Sequence, residues 1–287
     1  MNCALCPRLC LRRPGFCGVP ETAMVCRAAP HFGEEPCISG TRGSGAVFFA
    51  GCNLRCVFCQ NRAISRGPAG RELTVQALRD VFLRLRDRGV HNLNLVTPSH
   101  YSAVIAEALA GLSLGIPVVW NSSGYERVET LQMLEGLVQV WMPDLKYADA
   151  FLAARYSAAP DYPEIARAAI REMYRQAGPF VQDGDGILRR GVLIRHLILP
   201  GAAENTLRVM DMIEDSLPAE HILFSLMAQY TPMPGLEAYP ELCRPVTREE
   251  YDRCRSYLDF SEIKNGYVQD LASATMDMIP AFDGTGL

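Results

Sequence analysis

No run of lysine or arginine longer than a pair or triplet occurs in the 287 residues, and 28 basic against 32 acidic side chains leave a formal net charge of −4. Such a balance lacks the basic footprint that nucleic acid usually requires, so no nucleic-acid partner is expected. No apolar run approaches the roughly 20 residues that span a bilayer, so no membrane span is expected. Met1-Asn2-Cys3-Ala4-Leu5-Cys6-Pro7-Arg8 has no charged start followed by an apolar stretch, unlike a signal peptide, and a cytoplasmic location is expected. Repeats of fixed period and low-complexity segments are both missing. Cysteine is absent from Gln60 through Leu242, yet the chain holds 11, and nine lie in the first 59 residues. The cytoplasm keeps thiols reduced, so this crowding reads as metal ligation rather than disulfide stapling.

What is present is a βα alternation. Residues 1 to about 45 are rich in Cys, Gly, Pro and Arg and show no sustained periodicity. They are taken as a small Cys-rich N-terminal metal-binding extension, 1–45, ahead of a main domain, 46–287. Ala46–Ala50 is a continuous apolar run suited to a strand buried on both faces. Further strands are expected at 93–96, 117–120, 138–142, 192–199 and 222–226. Val75, Leu78, Val81, Phe82 and Leu85 mark a helix, with Thr74 as N-cap and Gly89 as its stop. Other helices are expected near 104–112, 126–134, 148–156, 163–177 and 204–217. Asp183-Gly184-Asp185-Gly186 reads as a hairpin tip. Six alternating units imply right-handed parallel crossovers but are too few to close an eight-fold barrel. The expected fold is an α/β open (β/α)6 partial TIM barrel.

Directly after the first of these strands stands Gly51-Cys52-Asn53-Leu54-Arg55-Cys56-Val57-Phe58-Cys59. Three thiolates on one tight loop can each bind one iron of a [4Fe–4S] cube, whereas complete protein ligation takes four. The fourth position is then open, as in catalytic metal sites generally. The loop also follows the C-terminal end of its strand, where parallel barrels place their chemistry.

This Cys-x3-Cys-x-aromatic-Cys pattern resembles the signature of the radical S-adenosylmethionine (SAM) superfamily. His31-Phe32-Gly33-Glu34-Glu35-Pro36, Val96-Thr97-Pro98-Ser99-His100-Tyr101, Asn121-Ser122-Ser123-Gly124-Tyr125, Pro143-Asp144-Leu145-Lys146-Tyr147, Arg195-His196-Leu197 and Gln229-Tyr230 are similar to the pyruvate formate-lyase activating enzyme-like proteins. The resemblance implies a [4Fe–4S] cluster on Cys52, Cys56 and Cys59, with SAM on the open iron. It implies reductive cleavage of SAM to methionine and a 5′-deoxyadenosyl radical, and reduced flavodoxin or ferredoxin as electron donor. Phe58 would lie near the adenine. Glycyl-radical activases carry a Gly-Gly-Glu-type motif after the second strand. Here Thr97-Pro98-Ser99 stands there, so the Thr97 and Ser99 hydroxyls are candidate acceptors for the SAM amino group.

Other candidates are weighed against plainer roles. Asp144 and Lys146, spaced i, i+2 at a strand end, can point together into the barrel mouth and are the candidate catalytic pair; the alternative is a surface ion pair. Asn121, Ser122 and Ser123 offer partners to ribose or carboxylate, or else cap a helix. Arg195 and His196 are neighbours in an apolar strand, so at most one faces inward. His196 is taken as the SAM contact, with a hydrogen-bonded core histidine as the alternative. Met227 and Gln229 are candidates for adenine or substrate. Cys3, Cys6, Cys10 and Cys17 can complete either a structural zinc site or a second, closed [4Fe–4S] cluster. Cys26 and Cys37 are unassigned. The reading is hydrogen abstraction from a protein or peptide backbone, as in glycyl-radical activation. The alternatives are radical modification of another peptide or a small metabolite, and a non-catalytic iron–sulfur electron carrier.

Overall fold

The computed structural model describes residues 3–12, 14–273 and 280–287. Strand β1 (Ala23–His31) and a one-turn helix α1 (Pro36–Ser39) lead to β2 (Ser44–Phe49). The cysteine loop follows, then α2 (Arg62–Ser65), β3 (Arg71–Leu73), α3 (Val75–Asp87), β4 (Leu93–Val96) and α4 (Ser102–Leu109). Next come β5 (Val118–Ser122), α5 (Val128–Gln132), β6 (Val140–Pro143), α6 (Ala150–Ser157) and α7 (Tyr162–Ala177). The chain continues through β7 (Val181–Gln182), β8 (Leu188–Leu197), α8 (Ala203–Glu214), β9 (Leu223–Met227), α9 (Arg248–Phe260) and β10 (Gly266–Val268).

The sheet order is β10-β9-β8-β6-β5-β4-β2-β1-β3, and each neighbouring pair from β10 to β2 is parallel. Its two edges are different strands, so this is an open, partial barrel. Every residue of β2, β4, β5, β6 and β9 is buried, the consequence of helices covering one face and the barrel interior the other. Helix α3 starts where the sequence places it: Thr74 accepts a hydrogen bond from the Ala77 amide at 3.2 Å, and Leu78, Val81, Phe82 and Leu85 are its buried stripe. The Asp183–Gly186 turn is the tip of the β7–β8 hairpin. No described helix is long and apolar enough to cross a membrane.

The sequence reading did not place α1, α2, β3 or the thirteen-residue α9, and two further strands also stand outside it. The leader holds a nine-residue strand, β1, antiparallel to both β2 and β3. Its burial follows no two-residue period: the pairing with β2 shifts register between Val25 and Arg27, and Gly284 and Thr285 near the end of the chain bond the Cys26 carbonyl and Ala28 amide beside it. A seventh parallel strand, β10, extends the far edge. It has three residues, too few to carry a periodic signal.

Candidate active site

A cavity of about 370 Å³ opens at the C-terminal ends of the parallel strands, within the usual size of small-molecule sites. Cys52, Cys56 and Cys59 line it, together with Phe58, Thr97, Asn121, Ser122, Ser123, Asp144, Lys146 and Met227. Residues more than 170 positions apart in sequence thus share one wall, each delivered by the end of a different strand.

The cysteine loop is held from several sides. Gly51, at φ +79, admits close packing of the leader: a Cβ there would lie 2.8 Å from the Cys17 carbonyl oxygen. Asn53 donates to the Tyr125 carbonyl at 2.7 Å and accepts from Ser123 Oγ at 3.3 Å, tying the loop to the end of β5. The Val57 amide bonds the Tyr156 carbonyl at 2.9 Å, and Ser157 Oγ donates to Cys56 Sγ at 2.9 Å. Burial pushes the Cys59 thiol up to about 12 and raises Cys52 as well, with the neighbouring Cys56 adding to both.

A charged cluster lines the same cavity. Lys146 Nζ donates to Asp144 Oδ2 at 2.7 Å, and Arg195 Nε donates to Asp144 Oδ1 at 2.9 Å. Burial alone would lift the Asp144 carboxyl, but Arg195 and Lys146 outweigh it and hold it below its ordinary value. Arg195 also bonds Glu34 Oε2 at 2.8 Å and Asn121 Oδ1 at 2.7 Å. Glu34 Oε1 accepts from Asn94 and Asn121 at 3.0 and 3.2 Å. The register of β1 against β2 pairs His31 with Ser44, so Glu34 and Glu35 enter from the opposite, N-terminal end of the barrel and form the cavity floor. Burial raises the Glu35 carboxyl, with Arg195 pulling against it.

Local backbone features set these strand ends. Gly124, at φ +72, lies where a Cβ would meet the Asp144 carbonyl oxygen at 2.8 Å. The Tyr162 hydroxyl stands within 2.8 Å of both the Ser123 and Asp144 carbonyls and accepts from the Lys146 amide at 2.9 Å, joining the ends of β5 and β6. Thr97 adopts φ +60, an unusual conformation for a β-branched residue, at the end of β4.

Two expected contacts lie elsewhere. Ser99 is 1% exposed and does not line the cavity; its hydroxyl donates to Glu126 Oε1 at 2.6 Å. His196 faces the helix layer, where Nδ1 meets the Leu145 carbonyl at 2.6 Å and Nε2 meets Thr206 Oγ1 at 2.9 Å. Alternation then turns its neighbour Arg195 inward. Cys26 and Cys37 are plain buried thiols, each 1% exposed. Of the residues the sequence reading left without a role, Glu34 and Glu35 stood only inside a family-like block, and Arg8, Tyr162 and Ser157 carried no signal.

Cys3, Cys6, Cys10 and Cys17 lie outside the cavity. The Cys3 amide bonds the Cys10 carbonyl at 2.7 Å and the Phe16 amide bonds Cys10 Sγ at 3.3 Å. Burial pushes Cys6 up to about 12, with Cys3 and Cys17 as further contributors. Among the described residues, no group of three or more His, Cys, Asp or Glu side chains is arranged to hold a metal ion. A cube differs from an ion in this respect, since its thiolates bind separate corners and ring a space. The cavity loop suits that demand: three thiols on one turn face a common void, Cys56 accepts a hydrogen bond from Ser157 and Cys52 one from the Leu54 amide, and a lysine stands near enough to offset their charge.

Residues 46–179 match the family model described as the Radical SAM superfamily. An uncharacterized protein of Methanocaldococcus jannaschii, MJ0674, is 29% identical over 266 residues, which cover 88% of this chain and 72% of that protein. Among solved structures, Streptococcus suis SuiB aligns with a TM-score of 0.51 at 15% identity, over 78% of this chain. SuiB bound to precursor peptide SuiA aligns at 0.52 and 16% over the same share. This chain spans about half the length of SuiB, 48% in both alignments. The family match takes in the cysteine loop and the first βα units, a little under half of the chain, and what is shared with SuiB is the fold.

Proposed function

We propose that the chain is a radical SAM enzyme that holds a [4Fe–4S] cluster on Cys52, Cys56 and Cys59 and abstracts hydrogen from a peptide or protein substrate. The observation that carries this reading is the cavity itself, where three thiols on one loop face the Asp144–Lys146–Arg195 cluster. When bound, cluster and SAM supply one-electron cleavage of a carbon–sulfur bond and a carbon radical.

The chain's own groups bind and orient. Both Asp144 oxygens are engaged by cations, so Asp144 acts as a positioning residue rather than a proton carrier. It fixes Lys146 as a permanent positive charge near the cysteines, a site for the carboxylate of an amino acid. Phe58 packs against Tyr156 and Tyr230 at ring-centroid distances of 6.3 Å, which leaves it a rigid wall for an adenine-sized ring. Asn121, Ser122, Ser123 and Thr97 supply hydroxyl and amide partners along the opposite rim. Phe58, Asn121 and Ser122 are buried and Thr97, Ser123, Asp144 and Lys146 half-buried, which limits the access of water to a reactive centre.

SuiB has been solved with its precursor peptide SuiA, which makes a peptide the substrate to test first, and a glycyl-radical protein the next. A small metabolite is the second reading, favoured by the modest cavity and its charged floor. Reduced flavodoxin or ferredoxin is the proposed electron donor. Cys3, Cys6, Cys10 and Cys17 are proposed as a zinc site or closed second cluster, to be decided by metal and sulfide analysis of the purified protein.

The test of the main reading is anaerobic reconstitution, reduction with SAM present, and quantification of 5′-deoxyadenosine. Wild type is expected to form the nucleoside and Cys56→Ala to lose it. A fully loaded wild-type protein that neither binds SAM nor forms the nucleoside would return the chain to the class of electron carriers.

A further inference from the structure

Cys56 differs from the other two cavity cysteines in what stands behind it. Ser157, the last residue of α6, is 1% exposed, and its hydroxyl donates to Cys56 Sγ at 2.9 Å. The Tyr147 hydroxyl, fully buried, lies 2.8 Å from Ser157 Oγ. A serine hydroxyl has one hydrogen, and a ligating thiolate has none to give. With Ser157 donating to sulfur, the Tyr147 hydroxyl must donate to Ser157, so the chain runs Tyr147 O–H to Ser157 O–H to Cys56 Sγ. The last turn of α6 is itself fixed, since Arg8 donates to the Ser157 and Ala158 carbonyls at 3.1 and 2.6 Å.

We propose that Ser157 and Tyr147 form a hydrogen-bond relay that sets the reduction potential of a cluster bound through Cys56, acting as positioning residues and not as ligands. This rests on the proposed function above. A hydrogen bond to a ligating sulfur draws electron density from it and favours the more negative, reduced cluster, and hydrogen bonding to sulfur is one of the levers that sets such potentials. Tyr147 acts through Ser157 by polarising its hydroxyl. Removing the relay therefore makes the cluster harder to reduce.

The experiment is a potentiometric titration of the reconstituted cluster with a chemical reductant, followed by EPR, with iron and sulfide measured on the same samples. Ser157→Ala is expected to hold as much cluster as wild type but about tenfold less of it reduced at a given solution potential, equivalent to about 59 mV for one electron. Tyr147→Phe is expected to shift the same way by less, and Ser157→Thr to recover most of the wild-type value. Should Ser157→Ala lose its cluster, Tyr147→Phe still reads the relay with Ser157 in place. Equal cluster content with wild-type potentials in both Ser157→Ala and Tyr147→Phe overturns the proposal. A wild-type protein that takes up no iron and sulfide overturns the underlying function as well, and the two failures are told apart by the iron and sulfide content.

Discussion

At the scale of single residues, the histidine that the sequence offered to the site makes a sharper statement about stability. Leu145 presents a carbonyl, which only accepts, so His196 carries its proton on Nδ1 and Nε2 accepts from the Thr206 hydroxyl. Burial, with Lys146 adding to it, depresses His196 from 6.5 to about 4. A folded value below the unfolded one means the unfolded chain takes up the proton first as the pH falls. The stability contribution is whole above about 6.5 and is lost on descending toward 4. Unfolding free energy from urea titrations should fall by about 2 kcal/mol between pH 7 and 5 through this group alone, at about 1.4 kcal/mol per pKa unit. His196→Gln should remove that slope, and an equally steep variant would assign the loss to another group. Sequence parity could not have made this assignment. Leu193, Ile194, Leu197 and Ile198 flank the pair with apolar side chains on both faces of β8, and burial of both faces erases the contrast by which an inward face is read. The cysteine loop, by contrast, was legible because its chemistry lies in adjacent residues.

The same division holds for elements. Long apolar strands and the α3 stripe were readable because helices of three turns and strands of four to six residues repeat their period enough times to be seen. The leader was not. Its order comes from contacts with distant chain, and Arg8 makes the most telling of them. Its guanidinium donates to the Asn53, Ala158 and Ser157 carbonyls at 2.8, 2.6 and 3.1 Å, and lies 3.9 Å from the Phe16 ring centroid and 5.2 Å from that of Tyr125. One side chain thus joins the leader, the cysteine loop and the end of α6. A planar fork with several donors is needed to reach three carbonyls at once, which a lysine cannot do. Arg8→Ala should loosen residues 3–20 while leaving the parallel sheet intact. The variant loses all three charged hydrogen bonds, and about 1.5 kcal/mol from even one of them raises the open population about tenfold, which is the least effect expected. Limited proteolysis mapped by mass spectrometry should show cleavage in the leader faster by at least that factor, with Arg8→Lys recovering little. Uniform acceleration over the whole chain would instead mean that Arg8 supports global stability.

At the scale of the molecule, an open barrel has two edges to protect, β10 at one end and the β1–β3 pair at the other. The final residues of the chain serve the second. After β10 they return to β1, where Thr285 O accepts from the Ala28 amide at 2.9 Å and the Gly284 amide donates to the Cys26 carbonyl at 3.0 Å. Phe282 packs on Phe48 at 5.5 Å, Asp283 pairs with Arg27 at 3.2 Å, and Pro280 lines the cavity. Backbone groups of β1 beyond the short β3 would otherwise face solvent as an unpaired strand edge. The segment therefore couples the sheet edge to the site: what caps β1 also walls the cavity. Removing residues 280–287 should leave the parallel strands folded, because their pairing lies on the other side of β2. It should free the Ala28 amide, whose hydrogen exchange should accelerate about tenfold for the loss of one backbone bond of about 1 kcal/mol and its neighbours. In the reconstituted protein the same deletion should hasten bleaching of the cluster in air. Faster exchange at Ala28 with unchanged bleaching would restrict the segment to edge protection, while change in both would make the end of the chain a working wall of the site.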